Sequence, residues 1–178
     1  MLKITVSGPP GSGTSTLVNG ICKELGWTSL NGGDVFRSQA KKNGVSVEEF
    51  SKMCKSDLDV DRDLDSYLRS VMIGDKCPDV VESRLSGWWA KEEAIDVPRV
   101  YISTTLPARA KRLMKRDGGS YTMNYDNAQK RQKDDSHRYE TLYGISLDDL
   151  SPYTHVIESD DLTEHQVLQA VLDVLEVQ

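Results

Sequence analysis

Long apolar stretches are missing from this chain, and none approaches the length of about 20 residues that a membrane span requires. The opening MLKITV is too short and wrongly flanked for a secretory signal, so a cytoplasmic location is expected. Cysteine is scarce: Cys22, Cys54 and Cys77 lie far apart with no C-x-x-C pair, which argues against both zinc and a disulfide framework. Positive charge is not in excess either. Lysine and arginine number 22 against 28 acids, net −6, a balance unsuited to a general nucleic-acid binder. Internal repeats, low-complexity tracts and long linkers are also lacking, and 178 residues suit one domain with a sizeable core. The sharpest absence is a single lysine. Gly8, Pro9, Pro10, Gly11, Ser12, Gly13, Thr14, Ser15 and Thr16 fit the phosphate-cradling pattern G-x-x-x-x-G-K-[ST] everywhere except at Thr14.

What is present supports that loop. Residues 2–6 read as a short strand running into the glycines. Leu17, Val18, Ile21, Cys22 and Leu25 then recur at helical spacing until Gly26 ends the helix. A second strand is expected over residues 27–30, ending in a turn at Asn31-Gly32-Gly33, followed by a polar helical region reaching about Met72. Within it, Ser46 and Glu49 have the spacing of a capping box. Further strands are expected at residues 78–82, 99–103 and 155–158, and a last helix after the Thr163–Gln166 box. Alternating strands and helices predict a parallel sheet covered on both faces, an α/β fold of three layers, α/β/α. Ligands of such sheets sit beyond the carboxyl ends of the strands. There the glycine loop, the Gly32-Gly33 turn, Glu82 and the segment after Ser103 should meet.

Several residues on that edge suit phosphoryl chemistry. The loop backbone and the following helix N-terminus favour a polyphosphate. Ser15, or less readily Thr16, offers a hydroxyl to Mg²⁺, and Glu82 is an acid at a strand end, where Mg²⁺-binding acids of phosphate-loop proteins stand. Arg84 and Arg37 are candidates for a bidentate grip on a second phosphate. Trp88 and Trp89 either wall a base pocket or pack in the core. His137, His155 and His165 show no ligand spacing. Between Arg109 and Arg138 lie nine bases (Arg109, Lys111, Arg112, Lys115, Arg116, Lys130, Arg131, Lys133, Arg138) and four acids (Asp117, Asp126, Asp134, Asp135). That is either a site for one compact anion or a solvated helical face.

Taken in order, the blocks "SGPPGSG" at 7–13, "GGDVFR" at 32–37, "VDRDLD" at 60–65, "VVESRLSGW" at 80–88, "RLMKRDG" at 112–118, "RYETLYGISLDDLSPY" at 138–153 and "VIESDDLT" at 156–163 resemble an archaeal-type cytidylate kinase. That family lies within the nucleoside monophosphate kinases, and the likeness runs nearly end to end. It implies a P-loop kinase fold whose core comprises residues 1–33, 71–112 and 138–178. A monophosphate-binding helical insertion would cover about 34–70 and a lid about 113–137. Carried over, Arg37 and Arg84 would bind the CMP phosphate, Glu82 would organise Mg²⁺, and Asp61 and Asp65 would lie on the CMP side. Arg112 and Arg116 resemble lid arginines. The block 131–138 resembles the R-x-x-x-D-S-x-R run of bacterial relatives, which puts Arg131 and Arg138 on phosphates and Asp135 on the nucleotide.

The resemblance implies a monomeric ATP:CMP (and dCMP) phosphotransferase using Mg²⁺ with ATP, with small nucleotides as its partners and neither nucleic acid nor membrane. Lid arginines would supply the charge that Thr14 cannot; an arginine on a transferring phosphoryl group is worth about 10³ to 10⁵ in rate. Two alternatives stay open at this point: a kinase for UMP or AMP, and a nucleotide-binding module of weak turnover.

Overall fold

The computed structural model describes residues 1–176, apart from the side chains of Glu48, Ser51, Lys55, Ser56, Leu58 and Asp61. Five strands form one sheet: β1 (Ile4–Ser7), β2 (Ser29–Asn31), β3 (Val80–Glu82), β4 (Arg99–Ser103) and β5 (His155–Glu158). All neighbours are parallel, in the order β2-β3-β1-β4-β5. The order reverses across β1, the switch point at which open α/β sheets bind their ligands. Register sets Val6, Glu82 and Asn31 at one level on the carboxyl edge.

Alternation along the strands sends side chains to two cores. Ile4, Val6, Val80, Val100 and Ile102 face α1 (Thr14–Leu25) and α8 (Glu164–Glu176), whose Leu17, Val18, Ile21, Val167 and Val171 complete that cluster. Val81 faces the other way, joined by Leu2 from the segment just before β1. They meet Trp89 and Ala90 of α5 (Ser86–Glu92) and Tyr139 of α7 (Tyr121–Tyr143). Both tryptophans belong to this second core: Trp89 is buried and Trp88 packs against it, so neither walls a base pocket. Each such aliphatic or aromatic side chain contributes about 1.5–3 kcal/mol when fully buried. The α/β/α layering expected from the sequence is thereby present.

The polar region after β2 divides into α2 (Gly32–Lys42), α3 (Val47–Ser56) and α4 (Leu58–Ile73). Val35, Ala40, Phe50, Cys54, Leu64 and Leu68 make a third cluster within these helices. Gly44, at φ 68, breaks the first two apart. The Ser46/Glu49 capping box forms, and so do the Gly26 stop and the reciprocal bonds between Thr163 and Gln166. One local expectation differs. Gly32 and Gly33 do not form a turn; they are the first residues of α2, because the Asn31 side chain caps that helix. The second strand begins at Ser29 rather than residue 27. Trp27 instead lies beneath the Lys3 ammonium, 4.4 Å from the ring centre.

At the amino edge of the sheet, Asp79 accepts hydrogen bonds from the Thr28 N–H (2.9 Å) and hydroxyl (3.0 Å) and pairs with Lys3 at 3.0 Å. One carboxylate thus joins the starts of the first three strands. The Thr28 backbone bond first, and the Lys3 contact next, hold its pKa down at about 2. A carboxyl whose pKa is lowered by folding stabilises the fold above its unfolded value of about 3.9 and loses that contribution as the pH falls toward 2. Thermal melts of Asp79→Asn should therefore show a lower Tm than wild type at neutral pH and a shallower decline between pH 5 and 2.

Candidate functional site: a lysine-free phosphate loop held by arginines

The loop between β1 and α1 turns twice through left-handed backbone, at Gly11 (φ 84) and Gly13 (φ 92). Gly13 precedes α1 and no side chain caps the helix, so its first N–H groups are available to an anion. Thr14 is buried at 7% exposure, and its methyl lies near Gly8, whose added Cβ would come within 3.0 Å of it. The position normally held by lysine therefore offers no charge.

Arginines reach the loop from outside instead. Arg84 donates to the Gly8 carbonyl (2.7 Å), Arg109 to that of Pro10 (3.1 Å) and Arg112 to that of Ser12 (2.8 Å). Three guanidiniums hold three alternate carbonyls. With every peptide trans, fixing the Pro10 and Ser12 carbonyls points the N–H groups of Gly11 and Gly13 in the opposite sense. Those are the two residues of positive φ.

Arg109 is almost wholly buried and also donates to the Thr104 carbonyl (3.2 Å) and to Gln132 Oε1. It stands on α6 (Leu106–Asp117), and Gln132 on α7, so it ties the loop to both helices of this hairpin. Burial pushes its pKa down; the nearby Arg84 acts in the same sense. Arg112 completes its fork on the Ser159 hydroxyl (3.1 Å) and carbonyl.

On the other side, Ser15 Oγ donates to Glu82 Oε1 at 3.1 Å, while Asn31 Nδ2 reaches both Ser15 Oγ (3.3 Å) and Glu82 Oε2. A hydroxyl and a carboxylate are hard oxygen donors, and two of them suit Mg²⁺, which takes few protein ligands and fills its octahedron with water and phosphate oxygens. Among the described residues no cluster of three or more His, Cys, Asp or Glu could cage a metal alone. The donor set fits a cation that arrives with a polyphosphate.

Asp135 on α7 joins Arg84 to one further arginine, accepting from Arg84 Nε (3.0 Å) and Arg138 Nη2 (3.1 Å). Arg138 also donates to the Tyr139 hydroxyl (3.0 Å). Arg131, one turn before Asp135, has no hydrogen-bond acceptor or ion-pair partner among the described residues. Loss of water around its guanidinium, and then repulsion from Arg84, push its pKa down against the pull of Asp135. The residue is nonetheless exposed to solvent, beside Arg84 and Asp135.

The structure thus joins the loop residues, Ser15, Glu82, Arg84, Arg112, Asp135 and Arg138 into one bonded set. Five assignments lie outside it, Arg131 among them for want of a bonded partner. Arg37 is exposed and pairs with Asp34 at 2.6 Å; Arg116 is exposed and pairs with Asp117. Asp65 is buried and accepts from the Tyr143 hydroxyl at 3.0 Å. Asp61 falls on α4 with its side chain outside the described residues. Asn31, Gln132 and Tyr143 were not anticipated, and Arg109 was seen only as part of the basic island. Its spacing of four from Leu113 on one helical face was the available sign of burial. A cavity of about 30 Å³ lies between Gly8, Pro9, Arg84, Tyr101 and Asp135. The larger one, about 650 Å³, lies near Lys3, Trp27 and Leu172 at the other end of the strands and shares no residue with this set.

A parallel sheet with a glycine loop at its switch point, an uncapped helix behind it and a paired hydroxyl and carboxylate beside it defines a P-loop kinase. The AAA domain family matches residues 7–136. Solved structures agree on the fold. Shikimate kinase from Acinetobacter baumannii superposes with TM-score 0.65 at 14% identity, covering 99% of this chain and 94% of that one. An uncharacterised protein from Eubacterium ventriosum gives 0.76 at 13% identity, covering 99% of both. Cytidylate kinase of Archaeoglobus fulgidus is 35% identical over 176 residues, 99% of this chain and 96% of its own. That of Pyrococcus abyssi is 35% identical over 170 residues, 96% and 91% of the two chains. The chain belongs to the cytidylate kinase family.

If the arginine brace shapes the loop, its most buried member should matter for nucleotide binding. Arg109→Met removes a charge-assisted bond of about 1.5–3 kcal/mol from the loop, so calorimetric ATP affinity should fall about tenfold or more. Arg109→Lys, which keeps the charge but not the fork, should recover only part of it.

Proposed function

We propose that this protein transfers the γ-phosphoryl group of ATP to CMP, and to dCMP, giving ADP and the corresponding diphosphate. The observation that carries the reading is the cluster of arginines around a lysine-free loop in a chain of this family. Positive charge enters the phosphate region from Arg84, Arg131 and Arg138 rather than from the loop itself.

Phosphoryl transfer requires positioning and stabilisation of charge on the moving group more than covalent chemistry. In this reading the N–H groups of Gly11, Gly13 and the first turn of α1 bind the ATP phosphates, with Thr14 adding its own N–H. Ser15 and Glu82 would hold Mg²⁺, which when bound supplies Lewis-acid neutralisation of the phosphate oxygens. Arg37 and Arg84 hold the acceptor phosphate, and Asp61, Asp65 and Asp135 face the CMP nucleoside. Residues 34–70 form the acceptor-binding insertion, a role supported by the separate core of α2, α3 and α4. Residues 113–137 form the lid, bringing Arg116 and Arg131 onto the transferring group while Arg112 keeps the lid's base on the loop. Closure excludes water and suppresses wasteful ATP hydrolysis. In this reading the protein acts on small nucleotides in the cytoplasm. Among the described residues no helix is long and apolar enough to cross a membrane.

ADP release should be measured with Mg²⁺, ATP and each of CMP, dCMP, UMP and AMP. Turnover with CMP and dCMP is expected to exceed that with the others at least tenfold. Measurable ATP binding with no turnover on any acceptor would replace this proposal with that of a nucleotide-binding module. Arg131→Ala should lower kcat by about 10³, the range known for arginines that meet a transferring phosphoryl group. Arg37→Ala, whose side chain touches no part of the loop, should raise KM for CMP while leaving KM for ATP unchanged.

A further inference from the structure

Asn31 ends β2 and uses both ends of its side chain. Oδ1 accepts from the N–H of Gly33 (2.7 Å) and of Asp34 (3.3 Å), capping α2. Nδ2 donates to Ser15 Oγ (3.3 Å) and to Glu82 Oε2. One planar amide therefore connects the pair assigned to the metal with the first turn of the helix that carries Arg37. The Arg37 guanidinium lies over that same turn: a Cβ added at Gly33 would stand 3.3 Å from its Nη1 and 2.9 Å from Asn31 Oδ1. Sheet register supports the link, because Asn31 and Glu82 are direct partners across β2 and β3.

We infer that Asn31 is a positioning residue that couples the metal–nucleotide site to the acceptor site; this rests on the reading of Ser15 and Glu82 as metal ligands and of α2 as the acceptor helix. The Glu82 carboxylate is shared, one oxygen with Ser15 and the other with Asn31. When a cation draws oxygens of Ser15 and Glu82 toward itself, Nδ2 must follow them or lose its acceptors. The amide is rigid, so any rotation that Nδ2 makes is also made by Oδ1, which alters the cap of α2 and the setting of Arg37. Linkage makes this reciprocal: whatever Mg²⁺ and ATP do to acceptor affinity, the acceptor does to theirs, typically by about 5- to 150-fold.

Two substitutions separate the cap from the link. Asn31→Asp keeps an oxygen that caps α2 as well as asparagine does. It has no N–H for Glu82 and sets a second carboxylate against it. Asn31→Ser caps through its hydroxyl and is too short to bridge to Glu82. CMP affinity should be measured by calorimetry with and without saturating Mg²⁺ and the non-hydrolysable β,γ-imido analogue of ATP. In wild type the Mg²⁺–analogue complex should strengthen CMP binding at least about fivefold, and in both variants that ratio should fall toward one. A wild-type ratio of one, or a ratio preserved in a variant that melts cooperatively, would overturn the coupling. Failure of the underlying reading looks different. If Glu82→Gln leaves the Mg²⁺ dependence of analogue binding unchanged, the metal assignment falls as well; if Glu82→Gln abolishes that dependence and the variants keep their ratio, only the role of Asn31 falls.

Discussion

A loop that binds phosphate through its backbone must aim N–H groups at the ligand, and a trans peptide then aims the paired carbonyls the opposite way. Those carbonyls need donors, since an unpaired buried carbonyl is costly. Here arginines supply them at Gly8, Pro10 and Ser12. The rest of the site is arranged around that requirement. Arg84 follows β3, and Arg109 and Arg112 stand on α6. The sheet order that places β3 and β4 on either side of β1 is what lets them approach the loop from two directions. The brace is a property of the topology as much as of the arginines.

A P-loop lysine is a single flexible cation inside the ligand cavity. Arginines behind the loop act differently. Their charge is fixed, and Arg109 and Arg112 are committed to backbone carbonyls, so these two preorganise the N–H groups instead of following the phosphate. Arg131 complements them, because it has no acceptor of its own among the described residues. Loss of water around its guanidinium, and then the neighbouring Arg84, lower its pKa. In a chain of net charge −6, such local crowding of arginines persists because the fold enforces it.

The fold was largely legible in the sequence. All five strands were placed within two residues or so, because short apolar runs bounded by glycine, proline and asparagine leave little freedom. The glycine loop, Glu82 and Arg84 were legible for the same reason: each follows a strand end, and strand ends converge in a parallel sheet. What escaped were the residues whose meaning depends on long-range contact. Asn31 was assigned to a turn with Gly32-Gly33, since glycine pairs normally mark one; its side chain capping α2 makes them helical instead. Arg109 looked like one more cation on a solvated face, yet it is buried, and its partners Pro10 and Gln132 are 99 and 23 residues away. No local pattern encodes such pairs. The tryptophans were ambiguous for a related reason, as an aromatic pair reads alike in a core and in a pocket wall.

The separate core of α2, α3 and α4 bears on how such a site works. These helices bury Phe50, Leu64 and Leu68 among themselves, with Leu30 of β2 packed against that cluster. Arg69 of α4 pairs with Glu92 and Glu93 at the end of α5, and Asp65 accepts from Tyr143 of α7, so the insertion is anchored to the core at several points. At the junction of β2 and α2 stands the Asn31 amide, with Glu82 on one end and the first turn of α2 on the other. A loop braced by arginines on one side and a helical insertion joined at the Asn31 amide on the other meet at this edge of the sheet, and in the function proposed above the first receives the donor phosphates and the second the acceptor.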